Sequence, residues 1–171
     1  MPQKQSKTSM AEGKIDRSGA AVRIPPPVVG IMTIVGGYVL GKFVPILTAF
    51  DLATPDRYWI GGAIVILAGY FLGIWPSRLF KETGQNVTPW SETPEIIIRG
   101  PYKFTRNPMY LMMMLVNLGF AVILSEAWIV VFMPILVVVL YHIAIKHEEV
   151  YLEEQFGDSY RAYKNSVRRW I

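Results

Sequence analysis

The sequence predicts an all-α, polytopic membrane protein with four transmembrane helices and a short interfacial C-terminal helix. Three observations carry that expectation. Hydrophobic residues fill 52% of the 171 positions, and the mean hydropathy is +0.32. Four stretches are almost free of charge, each close to the roughly 20 residues that a helix needs to cross a hydrocarbon core. Positive charge collects in alternate connections rather than evenly along the chain.

The elements follow in order. Residues 1–23 form a polar tail with Lys4, Lys7, Lys14 and Arg17. It lacks the apolar run of a secretory signal and reads as a disordered cytosolic tail or a short surface helix. The membrane domain covers 24–171. Its first span, 24–50, opens on Pro25-Pro26-Pro27 and is interrupted only by Lys42; prolines suit a helix entry because the first turn has no internal bond to lose. The second span, 58–77, carries no charge. The third, 107–125, holds one internal amide, Asn117. The fourth, 127–145, holds His142. Its run Ile135 to Leu140 could serve a buried strand, but the length of the stretch and the absence of turn signals favour helix.

Linker charge sets the orientation. The Ser125-Glu126 hairpin has no Lys or Arg. The loop 78–106 holds Arg78, Lys81, Arg99, Lys103 and Arg106, and the segment 146–171 holds Lys146, Arg161, Lys164, Arg168 and Arg169. The positive-inside rule makes that side cytosolic, together with both termini. Trp59, Trp75 and Trp128 fall near span ends, where indoles favour the interface. Gly37 with Gly41, and Gly69 with Gly73, have the spacing that lets helix backbones approach closely in lipid; the second pair could instead make room for a cofactor. Neither pair is a dinucleotide fingerprint, because no strand precedes it.

Composition also excludes chemistries. The chain has no cysteine, hence no disulfide framework, thiolate metal site or cysteine nucleophile. The net charge of +4 sits in membrane-flanking segments without a nucleic-acid-binding module, so membrane lipids rather than nucleic acid are the expected partners. His142 and His147 are five apart and share no helical face, so no metal site is expected. His142 is expected as a satisfied polar residue inside the bundle, and Lys42 as a snorkelling cation.

Two segments can carry chemistry. Gly100-Pro101-Tyr102-Lys103-Phe104-Thr105-Arg106-Asn107-Pro108-Met109-Tyr110 contains a Gly-Pro turn, then Asn107 as a helix cap ahead of Pro108. A helix entry open to the cytosol offers amide donors to an anionic group such as an amino-acid carboxylate. The fourth span then exits through Lys146-His147-Glu148-Glu149. Adjacent carboxylates repel and gain nothing by burial alone, so they call for a cation or a hydroxyl-rich ligand. Beyond them, Gly157 can end the exiting helix, and Asp158 or Ser159 can cap a short new one. Tyr160, Tyr163 and Trp170 would give that piece a membrane-facing side.

These two segments, with Leu152, Phe156-Gly157, Tyr160 and Tyr163, resemble the isoprenylcysteine carboxyl methyltransferase family, part of a wider group that includes phospholipid N-methyltransferases. Pro25-Pro26-Pro27 and Asn86-Val87-Thr88-Pro89-Trp90 resemble its bacterial branch. The resemblance implies S-adenosylmethionine as cofactor, a pocket near the cytosolic face and a bacterial inner-membrane location. The pocket it implies uses the helix-entry motif, Arg106 to Tyr110, and the paired glutamates, Glu148 and Glu149; within it, Gly100, Pro101, Tyr102, Asn107, Pro108 and Tyr110 are expected to shape the cofactor site, Glu148 and Glu149 to bind cofactor polar groups, and Arg106 and Glu149 to serve catalysis. A hydrophobic or lipid-like acceptor would enter from the bilayer. Asn107 stands where the eukaryotic enzymes have histidine, and Met112 where a small residue is common.

Methyl transfer from a sulfonium to an already ionised carboxylate or thiolate needs alignment more than a strong base. Three function classes follow: methylation of an isoprenylcysteine-like carboxylate; methylation of a phospholipid amine or a small thiol; and a non-enzymatic membrane scaffold, which would bind no S-adenosylmethionine.

Overall fold

A computed structural model describes residues 24–45, 54–84 and 93–171. The 1–23 tail, the end of the first expected span and the Asn86–Trp90 motif lie outside the described residues. Among the described residues every regular element is helical.

Helix α1 is Pro26–Phe43, with proline in its first turn. It stops earlier than the apolar run suggests because Pro45 follows. A residue before proline is pushed out of the α region, and Val44 has left it, with φ −131° and ψ 77°. Helix α2, Thr54–Ala68, passes through a wide π turn, Gly69–Ile74, directly into α3, Trp75–Glu82. This helical run is longer than the expected 58–77. Pro76 stands where the π turn hands over to α3 and does not end the run, which continues to Glu82, ahead of Gly84 at φ +70°, so Arg78 and Lys81 ride on helix rather than in a loop.

A 3₁₀ turn, Gly100–Lys103, precedes α4, Pro108–Leu124. The Ser125-Glu126 hairpin is as tight as its length requires. Ser125 adopts the left-handed conformation, φ 51°, and the Glu126 amide donates to the Ala121 carbonyl at 2.9 Å. The Glu126 carboxylate then caps α5, Ala127–Leu140, by accepting from the Trp128 amide. A second π turn, Tyr141–Ile145, leads into α6, Lys146–Phe156. Gly157, at φ 52°, ends α6 and starts α7, Asp158–Ser166.

Among the described residues, three helical runs are long and apolar enough to cross a membrane: Pro26–Phe43, Pro55–Glu82 and Ala127–Phe156. Helix α4, with 17 residues, is a shorter apolar helix; at about 1.5 Å per residue it covers about 26 Å. It sits centrally, packed on α1, α2 and α5, while α1 also lies along α5.

Glycines set how closely these helices approach. A Cβ on Gly37 would stand 2.8 Å from the Ile129 backbone nitrogen, and one on Gly41 would overlap the Glu126 carboxylate. Gly61 and Gly119 press backbone to backbone where α2 crosses α4. The Gly37–Gly41 spacing therefore joins α1 to α5, as small-residue seams do in lipid. Gly69 and Gly73 do not form such a seam: nothing lies within 4 Å of a Cβ built on Gly69, and the three atoms nearest to one on Gly73 all belong to the flexible Met112 side chain.

This contrast gives a stability test. Gly37→Ala forces the Ile129 backbone to move and is expected to destabilise by about 1–3 kcal/mol. Gly62→Ala enters open space and is expected to be neutral or to gain up to about 1 kcal/mol in helix propensity. Thermal unfolding of both variants in one detergent, showing equal midpoints, would refute the close packing at Gly37.

Candidate active site

The polar site forms where the entry of α4, the start of α6 and the C-terminal segment meet. Its centre is Glu149. Arg106 Nη1 donates to Glu149 Oε1 at 3.0 Å. Arg169 donates through Nε to Oε1 and through Nη2 to Oε2, both at 2.9 Å. The Glu149 side chain is 12% exposed, Arg106 10% and Arg169 33%. Two guanidiniums thus neutralise one largely buried carboxylate, and the two-pronged Arg169 contact fixes its plane. Next to it, the Tyr110 hydroxyl donates to Glu148 Oε1. The adjacent carboxylates consequently have separate partners: cations for Glu149 and a phenol for Glu148.

The C-terminus is part of this construction. After α7 the chain returns as a strap over the α4 entry. The Arg106 amide donates to the Arg168 carbonyl at 3.0 Å. The Arg169 carbonyl accepts from Thr105 Oγ1 at 2.9 Å and from Asn107 Nδ2 at 3.3 Å. The Arg169 guanidinium lies 5.0 Å over the Tyr141 ring, and Trp170 packs on the apolar cluster of Tyr110, Met113, Leu136, Leu140, Ala144 and Ile145.

These contacts revise several expectations. Asn107 stands at the N-cap position of α4, but its side chain makes no capping bond. The strap carbonyl of Arg169 takes its amide instead. Tyr160 and Tyr163, expected to face the membrane, are 2% and 8% exposed. Burial, reinforced by Glu149, raises the Tyr160 phenol above its ordinary range, with Arg106 pulling the other way. Burial likewise raises Tyr163 and Tyr102, so these phenols remain protonated donors at neutral pH. Tyr163 uses its proton on the Tyr102 carbonyl at 2.8 Å. His142 is exposed rather than held inside the bundle, because the second π turn directs Ala144 and Ile145 inward. Lys42 lies 4.6 Å over the Tyr38 ring at the far end of α1. No group of metal-binding side chains occurs among the described residues.

Gly100, Pro101 and Tyr102 frame the site from outside. Gly100 has φ +60°, and a Cβ there would meet Leu79 and Trp75. Pro101 is buried, and Phe80 meets the Tyr102 ring edge-on at 5.9 Å. The turn therefore couples α3 to α7. Sequence reasoning missed Arg169 and Thr105. The available signal was electrostatic: two adjacent carboxylates at a helix exit need cations, and Arg168-Arg169 beside Trp170 can supply them from an amphipathic terminus.

The Tyr110–Glu148 contact is testable. Tyr110→Phe removes the phenol and leaves a buried carboxylate short of a donor, a loss of about 1–3 kcal/mol. Thermal unfolding should show this loss, and an unchanged midpoint would argue against the pairing.

A family model described as phospholipid methyltransferase matches residues 57–159, a range that includes α4, the glutamate pair and both π turns. An uncharacterized protein of Haemophilus influenzae (strain ATCC 51907 / DSM 11121 / KW20 / Rd) is 48% identical over 65 residues, covering 37% of this chain and 100% of that protein. With apolar helices of membrane-crossing length and this match over more than half of its residues, the chain is an integral membrane protein that belongs to the phospholipid methyltransferase family.

Proposed function

We propose that the protein transfers a methyl group from S-adenosylmethionine to a hydrophobic acceptor such as an isoprenylcysteine carboxylate. The reading adopts four membrane spans with both termini cytosolic, in a bacterial inner membrane. The observation that carries it is the Arg106–Glu149–Arg169 cluster beside Tyr110–Glu148, two carboxylates and two guanidiniums brought together at one end of an apolar bundle.

The residues present fit the cofactor. S-adenosylmethionine is an electrophilic methyl donor with a sulfonium, an ammonium and a carboxylate. Arg106 Nε is buried without a hydrogen-bond partner and suits a carboxylate; Glu148 and Glu149 favour the cationic groups. Gly100, Pro101, Tyr102, Asn107 and Pro108 shape the surrounding wall. Arg106 and Glu149 orient the reactants, and the bundle excludes water. Well-oriented reactions gain up to about 7–11 kcal/mol from such positioning.

The family match supports a second reading, in which the acceptor is a phospholipid amine. An amine must lose a proton before or during attack, so its rate rises with pH, whereas a carboxylate gives little dependence near neutrality. The test is radiolabelled methyl transfer from S-adenosylmethionine to an isoprenylcysteine analogue, phosphatidylethanolamine and a small thiol. Transfer to the first with a flat pH profile supports the primary reading. Transfer to phosphatidylethanolamine with a rising profile moves the assignment to the amine. No transfer, and no thermal shift on adding S-adenosylmethionine, leaves the scaffold reading and removes both enzymatic ones.

A further inference from the structure

A cavity of about 400 Å³ opens between the α2–α3 π turn and α4, lined by Gly69, Gly73, Ile74, Ser77, Arg78, Lys81 and Met112. Its chemistry is graded along its length. One end is apolar: the two glycines, Ile74 and the thioether of Met112. Ser77 has spent its hydroxyl proton on the Gly73 carbonyl at 2.8 Å, so it adds little polarity. The other end carries two exposed cations, Arg78 and Lys81, for which no salt bridge to an acidic side chain occurs among the described residues.

The backbone favours this opening. A π turn fits an extra residue into one turn and is frequent at functional sites. Here it brings Gly69 and Gly73 to the cavity, and neither glycine has a Cβ to fill it. Met112 closes the inner end: its Sδ lies 2.5 Å from where a Cβ on Gly73 would stand. The same side chain packs against the cluster around Tyr110, so Met112 separates the cavity from the polar site.

We infer that this cavity holds a single-chain anionic amphiphile, its apolar chain along the glycine wall and its anionic group at Arg78 and Lys81, with Met112 setting how far the chain reaches. Charge complementarity selects the occupant, because an apolar slot with a dicationic mouth matches an amphiphile with a phosphate or carboxylate head. The occupant is a bound lipid distinct from the methyl acceptor, because Met112 stands between the cavity and the polar site.

The test uses photo-crosslinking without cofactor. The full chain in phosphatidylcholine nanodiscs is labelled with lysophosphatidic acids that carry a chain-end diazirine, at two chain lengths, and the labelled peptides are mapped. Label is expected on the π turn and around Met112. Gly69→Leu adds bulk at a position where a Cβ meets nothing within 4 Å and should remove that label. Arg78→Gln and Lys81→Gln should each raise the half-saturating probe concentration about fivefold. Met112→Ala frees room for two or three methylenes and should shift the long-to-short labelling ratio by about tenfold.

Label spread evenly over the outward faces, or undiminished in Gly69→Leu, overturns the assignment. Displacement by inorganic phosphate regardless of chain length also overturns it, since the site would then take a free anion. The two readings fail separately. Groove labelling with no methyl transfer to any acceptor removes the enzymatic reading, whereas methyl transfer with no groove labelling removes the cavity assignment.

Discussion

Glu149→Ala is expected to reduce methyl transfer by at least about a hundredfold and to destabilise the fold by about 3–5 kcal/mol. The reason is the asymmetry of buried ion pairs. Forming one offers little net stability, but removing one partner leaves the other charge desolvated. Here one carboxylate serves two guanidiniums, and its loss strands the more buried Arg106, at 10% exposure, together with Arg169. Glu149→Gln keeps the shape and a single acceptor oxygen but loses the charge, so it should fold better than alanine and remain impaired in transfer. Thermal unfolding and single-turnover transfer measured on the same preparations separate the two effects. A double-mutant cycle with Arg169→Ala should show a coupling above about 0.5 kcal/mol. Full turnover in Glu149→Ala would remove Glu149 from the catalytic arrangement.

Deleting residues 168–171 is the second large perturbation. It removes the two carbonyls that accept from the Arg106 amide, Thr105 Oγ1 and Asn107 Nδ2, and also the paired Arg169–Glu149 bonds. At about 1 kcal/mol for each neutral bond and about 1.5–3 for those to charged groups, the α4 entry loses most of its bracing. The truncated protein should therefore show a lower unfolding midpoint and at least tenfold weaker S-adenosylmethionine binding by thermal-shift titration. Two controls make the result specific. Removing only Ile171, which is 79% exposed, should have no effect. Arg169→Lys keeps the charge but cannot make the two-pronged contact, so it should fall between wild type and truncation. Unchanged binding in the truncated protein would reduce the strap to a passive tail.

The helices were legible in the sequence because apolar length and proline position are local properties. Pro26 and Pro108 open helices where expected, and Ser125-Glu126 turns where two apolar runs meet. The pairing of α1 with α5 was less accessible: Gly37 and Gly41 announce a close approach but not the partner, which proved to be Ile129 and Glu126. At the site, Arg106, Tyr110, Glu148 and Glu149 converge as a group. Arg169 did not declare itself, since its role depends on a strap that returns 20 residues after the carboxylate it holds. Tyr160 and Tyr163 misled for a related reason. An amphipathic pattern reports that one face is apolar, not whether lipid or protein covers it.

The second π turn has a consequence for how the carboxylates are aimed. Ile129, Leu136 and Leu140 are the most buried side chains of α5 and mark its inward line. Continued at about 3.6 residues per turn, that line would next pass near Ala144 and then close to His147. Because the turn Tyr141–Ile145 takes in an extra residue, Ile145 is buried as fully as Ala144, and the phase of everything downstream advances by about one position. His147 rotates into the open, and Glu148 and Glu149 rotate toward Tyr110 and Arg106. The wide turn acts as a vernier on the helix: it determines which two of three consecutive polar residues point at the site, and so makes the acidic character of the site a matter of helical phase as much as of composition.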